Sequence, residues 1–186
     1  MFTKISVVCI IKDHISTLTS NQTNRIYFPD IFLFFVLPAI IAGLMFYSGV
    51  TLNDSLVNAL ITSFSIFSAL LFNLLLLVYD IAGKIAAQSQ THDPLEIQQT
   101  IQRRELLREI YVNVSFAILI STFIVVILLT YFLKPSKCNL IGLNVCNFQW
   151  LLASITYYLS IQFLLTLFMI LKRIYRLLAK AFQSQI

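Results

Sequence analysis

Four stretches of this chain contain no Asp, Glu, Lys or Arg: residues 31–53, 55–79, 110–133 and 138–171. Each exceeds the about 20 apolar residues that a helix needs to cross the hydrocarbon of a bilayer. The last is too long for one helix. Its first part, CNLIGLNVCNF, reads as a loop, and Trp150 marks where the fourth span leaves the interface, because an indole prefers the headgroup level. Lipid offers no partner to backbone polar groups, so each stretch is a helix and an open sheet is excluded. The pattern predicts an all-α fold, an integral membrane bundle of four transmembrane helices with a helical cytoplasmic extension. The spans fall at about 31–50, 54–80, 111–133 and 149–171, within one unit from 30 to 172.

The flanking segments have patterns of their own. In the amino-terminal segment, 1–29, Ile5, Val8, Ile11, Ile15 and Leu18 recur at three- and four-residue spacing. This predicts an amphipathic helix, lying on the membrane or packed under the bundle. It is no secretory signal, since the apolar run is short and is followed at once by Lys12, Asp13 and His14. Asp30 can cap the first span, and Pro38 predicts a kink near its second turn. Ala39 and Gly43 form a small-xxx-small pair that permits close helix approach. The short turn SGVTLND makes spans one and two a tight antiparallel hairpin.

The connection 81–110 is the sizeable soluble piece. Asp93 at the cap, Pro94 at the first position and Glu96 three residues after the cap predict a helix start. Nothing from Leu95 to Leu133 breaks a helix. The third span therefore extends inward as one helix of roughly 40 residues, about 60 Å long. Span two can continue past Asp80 through KIAAQSQ, completing a helical hairpin below the membrane. The basic tail, 173–186, continues the fourth helix.

Composition and charge fix the setting. Only 11% of the 186 residues are charged, against about a quarter in a soluble domain. Of 13 Lys and Arg, two (Lys134 and Lys137) lie on one side and the rest on the other. The positive-inside rule then puts both termini in the cytoplasm, as expected of a multi-pass protein of the bacterial inner membrane. Cys138 and Cys146 fall in an outer loop where an oxidising periplasm permits a disulfide, and Cys9 is expected as a free, partly buried thiol.

The second span is the most informative. At about 100° per residue, Ser55, Asn58, Thr62, Ser65, Asn73 and Asp80 share an arc of about 80°. Such a stripe must face protein or water. Either it lines a pore around an oligomer axis, with Asp80 at the inner mouth favouring cations, or it is a seam of hydrogen bonds inside one bundle. Span four carries Ser154, Tyr158, Gln162 and Thr166 at four-residue intervals, and Gln162, near the bilayer centre, needs a partner. On the cytoplasmic face Lys84, Arg103, Arg104, Arg108, Arg173, Arg176 and Lys180 either serve as topogenic charge beside anionic lipid or line a vestibule. Multiplied in an oligomer, that vestibule would hold a nucleotide or nucleic-acid oligomer by its phosphates.

No Gly-rich phosphate loop, HExxH or nucleophile elbow is present, and His14 and His92 stand apart. No enzyme, cofactor or metal site is expected. In whole-chain layout, and in the segments DIFLFFVLP and SALLFNLLLLVYD, the chain resembles the small four-helix membrane effectors of bacterial anti-phage operons. Two families share this layout. Resemblance to the channel effector of Hailong-type systems implies a homo-oligomeric ion channel held shut by a nucleic-acid oligomer from a partner nucleotidyltransferase. Resemblance to the membrane subunit of Kiwa-type systems implies a sensor that docks a cytoplasmic DNA-binding partner. Three roles stand open: an oligomeric depolarising channel, with a tetramer favoured; a non-conducting anchor or sensor recruiting a soluble partner; and an accessory subunit of a transporter.

Overall fold

The computed structural model describes residues 7–18, 32–50, 52–88, 94–132 and 145–183. Among them 96% are helical and none lies in a strand. The helices are α1 (Val7–Leu18), α2 (Leu37–Tyr47, preceded by a π turn at Phe32–Val36), α3 (Asp54–Gln88), α4 (Pro94–Phe132) and α5 (Val145–Gln183). Among the described residues, three stretches are long and apolar enough to cross a membrane: Asp54–Ile85, Thr100–Phe132 and Gln149–Ala179. The first predicted span is a shorter apolar helix, Phe34–Tyr47.

The long uninterrupted helices follow from the absence of breakers. α4 begins at Pro94, whose missing N–H costs nothing at a first helical position, and runs 39 residues. α3 continues well beyond Asp80, and α5 carries the tail in the same helix. Pro38 lies in the first turn of α2. Its ring crowds the carbonyl four residues back, and a turn widened to i→i+5 stands immediately before it. The caps expected at Asp30 and Asp93 lie outside the described residues, as do Cys138 and the Cys146 side chain.

α4 is the central helix. Over its most apolar window 56% of the residues are buried, against 17% in α3 and 28% in α5. It packs against α3, α5 and α1, while α2 packs against α5. The expected hairpin of spans one and two is thus opened: neighbours in sequence, α2 and α3 lean on different helices. Gly49 makes that divergence possible, adopting φ +64 after Ser48 and Gly49 N–H groups close the end of α2 onto Leu44 and Phe46.

The α3–α4 seam is a heptad pattern. Val57, Phe64, Leu71 and Val78 are buried at intervals of seven, with Ile61, Ser68 and Leu75 half-buried between them. α4 answers with Ile110, Val114, Ala117, Ser121, Ile124, Leu128 and Tyr131, all buried at alternating steps of four and three. This is the spacing of left-handed antiparallel packing. At its far end the Tyr131 hydroxyl donates 2.7 Å to the Leu52 carbonyl. Ala39 and Gly43 are not in any seam. Both are exposed, and a side chain at Gly43 would meet nothing within 4 Å.

Aromatic side chains mark two levels. Tyr47 is exposed at one end, two residues before Gly49, which the half-buried Trp150 ring adjoins, and Tyr79, Tyr111 and Tyr175 are exposed near the other. From Trp150 to Tyr175 is 25 residues of helix, about 38 Å, which matches a hydrocarbon core with part of its interfaces. Replacing Tyr131 by Phe leaves the Leu52 carbonyl unpaired in a buried site. The variant is expected to lose about 1–3 kcal/mol of stability, read as a lowered unfolding midpoint in detergent micelles.

Candidate functional site

The heptad seam decides which way the polar stripe of α3 faces. Ser55, Asn58, Thr62, Ser65, Asn73 and Asp80 are all exposed, on the side of α3 opposite Val57, Phe64, Leu71 and Val78. Thr62 satisfies its hydroxyl on its own helix, donating 2.9 Å to the Asn58 carbonyl. The reading of the stripe as an internal hydrogen-bonded seam therefore does not hold within one copy of the chain. Leu76, 64% exposed, falls inside the same arc between Asn73 and Asp80.

Span four satisfies Ser154 and Thr166 locally. Ser154 donates to the Trp150 carbonyl at 2.9 Å, and Thr166 to that of Gln162 at 2.8 Å. Gln162 itself is buried, and its Oε1 has no hydrogen-bond partner.

A second polar group gathers where α4 passes from its charged to its apolar part. Three positions on α4, Glu109, Asn113 and Phe116, lie three or four residues apart and so on one face. The buried Arg173 guanidinium of α5 reaches the Glu109 carboxylate at 3.3 Å and donates 3.0 Å to its carbonyl. The imidazole of His14, fully buried, hydrogen-bonds through Nδ1 to Asn113 Oδ1 at 2.8 Å. It stacks on Phe116 with centroids 3.8 Å apart and lies 6.3 Å from the Phe34 ring. Burial pushes the His14 pKa down to about 4; the Asn113 hydrogen bond opposes this and the nearby Arg173 charge adds to it. His14 is thus a neutral docking residue.

No family model, curated protein or solved structure matches this chain.

The basic residues expected to form one vestibule divide. Arg173 is drawn inward by Glu109, which removes it from any exposed anion site. Lys84, Arg104, Arg108 and Arg176 are exposed and Arg103 is half-buried; the side chain of Lys180 lies outside the described residues. The Arg173–Glu109 pair sets Arg108 and Arg176 within a turn of one level, while Arg103 and Arg104 sit about 8 Å further along α4. Cys9 is a free thiol, exposed rather than partly buried. Among the described residues no group of His, Cys, Asp and Glu is arranged to hold a metal.

The sequence pattern did not single out Glu109, Asn113 or His14 as partners. The one signal was Asn113, an amide just inside an apolar run.

Two outcomes follow. The Arg173 side chain is 10% exposed and that of Glu109 39%, so removing the acid strands a buried charge. Glu109→Gln is expected to cost about 3 kcal/mol, and Arg173→Met much less, in the same detergent unfolding assay. For His14 the docked state binds fewer protons than the free helix between pH 6.5 and about 4. Docking of α1 therefore weakens as pH falls through that window, by at most roughly 3 kcal/mol. The check is NMR titration of the His14 ring, assigned with His14→Gln: its midpoint is expected near 4, and near 6.5 once α1 is undocked.

Proposed function

We propose that the chain is the subunit of a homo-oligomeric membrane channel whose wall is the polar stripe of α3. The observation that carries this reading is the outward placement of all six stripe residues on a helix long and apolar enough to cross a bilayer. Facing lipid, the amides of Asn58 and Asn73 would have no partner. Facing the axis of a ring of identical subunits, they meet water. The stripe ends at Asp80, so each subunit would contribute one carboxylate to the mouth near the basic end, an arrangement that favours cations. Leu76 is the large apolar side chain on the arc, one turn before Asp80. In a ring it forms a narrow, dry constriction of the kind that closes pores by dewetting.

In this reading the basic end faces the cytoplasm, by the same charge count that orients the chain. α2 with its preceding π turn supplies a short fourth crossing. The exposed Lys84, Arg104, Arg108 and Arg176 are the contact points for a polyanionic trigger such as a nucleotide or nucleic-acid oligomer. Depolarisation on opening is the expected output, and the layout shared with anti-phage effectors makes defence the expected setting. The same exposed basic residues on the helical hairpin also suit a non-conducting anchor that recruits a soluble partner.

Ion flux through purified protein in liposomes, with subunit number set by cross-linking, separates the two. The channel reading expects flux from a defined oligomer, lost when Asn58, Thr62 and Ser65 are all replaced by Leu. It also expects Leu76→Asn to raise the basal leak at least about tenfold, equivalent to about 1.4 kcal/mol off the closed-state preference. A stable oligomer that conducts in none of these forms, with candidate nucleotides and oligonucleotides added, leaves the anchor.

A further inference from the structure

α1 presents three different faces, and only one is used by the bundle. At about 100° per residue, the docked residues Ile10 and His14 lie within about 40° of each other. Val8, Ile11 and Ile15 occupy an arc of about 60° centred about 110° away, and they are 74%, 37% and 45% exposed. Lys12 and Cys9, both exposed, take the next sector round. The amphipathic pattern is therefore inverted relative to a helix simply packed on a core: a buried imidazole makes the attachment and the aliphatic stripe is left outside.

The level of attachment explains the inversion. Asn113, which holds His14, lies four residues beyond Glu109, the last charged residue before the apolar part of α4. That is about 6 Å of helix, within the about 5–10 Å depth at which interfacial helices bury their apolar side. Tyr111, 51% exposed, sits at the same level, where aromatic belts form. Phe32, Phe35 and Val36, neighbours of the Phe34 ring that lies 6.3 Å from His14, are exposed as well. Lys12 is turned toward the sector where anionic headgroups would meet it.

We infer that α1 is an interfacial helix seated in the corner between the bundle and the bilayer. Val8, Ile11 and Ile15 lie in the acyl-chain boundary of the leaflet at the basic end, and His14 pins the helix sideways to α4. The lipid surface is its partner, whether or not the protein conducts.

The test places a Trp at Val8, Ile11 or Lys12 in turn, in a Trp150→Phe background, with each protein reconstituted in vesicles of phosphatidylethanolamine and phosphatidylglycerol. The three positions are exposed, so the substitutions leave the packing of α1 untouched. Trp at 8 and 11 is expected to emit at shorter wavelength than Trp at 12, and to be quenched several-fold more strongly by lipids brominated high on the acyl chain. Equal, long-wavelength emission from all three positions would overturn the inference, since it puts the stripe in water. Short-wavelength emission that brominated lipid fails to quench would also overturn it, because the stripe would then be covered by a second copy of the chain.

Discussion

Val57, Phe64, Leu71 and Val78 return to the same side of α3 every seven residues, and all four are buried in the bundle, where α3 packs on α4 and the Phe64 ring meets Phe163 of α5. A helix has one axis, so committing this side fixes the other. Ser55, Asn58, Thr62, Ser65, Asn73 and Asp80 are turned away from the bundle as a consequence. The seam is thus both the main packing contact of α3 and the reason its polar groups, the Thr62 hydroxyl apart, are unassigned within one copy. Water would satisfy them and a like-minded neighbour would satisfy them; hydrocarbon would not.

The second constraint acts at the basic end of α4. A single face there binds two elements, with Glu109 holding α5, and Asn113 and Phe116 holding α1. These bonds differ in kind from the seam. Apolar contacts between membrane helices discriminate weakly against lipid, because lipid is as apolar as leucine. A buried guanidinium or imidazole has few acceptable positions, so the polar pairs define register where the apolar contacts define proximity. Arg173 with Glu109 fixes how far α5 slides along α4, and His14 with Asn113 fixes where α1 attaches.

How much of this was legible depends on the range of the interaction. Helix lengths were: α4 runs unbroken from Pro94 because no residue in it stops a helix, and α3 passes Asp80 for the same reason. The polar arc of α3 was legible as an arc but not as a surface, since a water-facing wall and an internal seam need the same residues. Pairings were not legible. Arg173 is 64 residues from Glu109, and His14 is 99 from Asn113. Nothing in local spacing separates Arg173 from the exposed Arg176 one turn later. The helical spacing of Val8, Ile11 and Ile15 in α1 is legible in the sequence, yet the direction they face depends on the solvent. In water Val8, Ile11 and Ile15 would turn inward, whereas beside a bilayer the outward direction costs nothing and frees the inner face for His14.

The continuity of α3 bears on how a channel of this kind could be operated. From Asp54 to Gln88 the helix has no Pro, so its i→i+4 hydrogen bonds leave no hinge at which one part could turn alone. Lys84 lies two turns from Leu76 on the same rod. A ligand drawn to the exposed basic residues would therefore act on the constriction by rotating or tilting the whole helix against the α4 seam. Such a movement alters the bore only if the ligand binds the two arrangements unequally. The seam resists it at Val57, Phe64, Leu71 and Val78, and the Tyr131–Leu52 hydrogen bond holds the start of α3 in place. A helix held along one face and tied at its Leu52 end is suited to pivot there, with its largest excursion at the end where Lys84 and Asp80 lie.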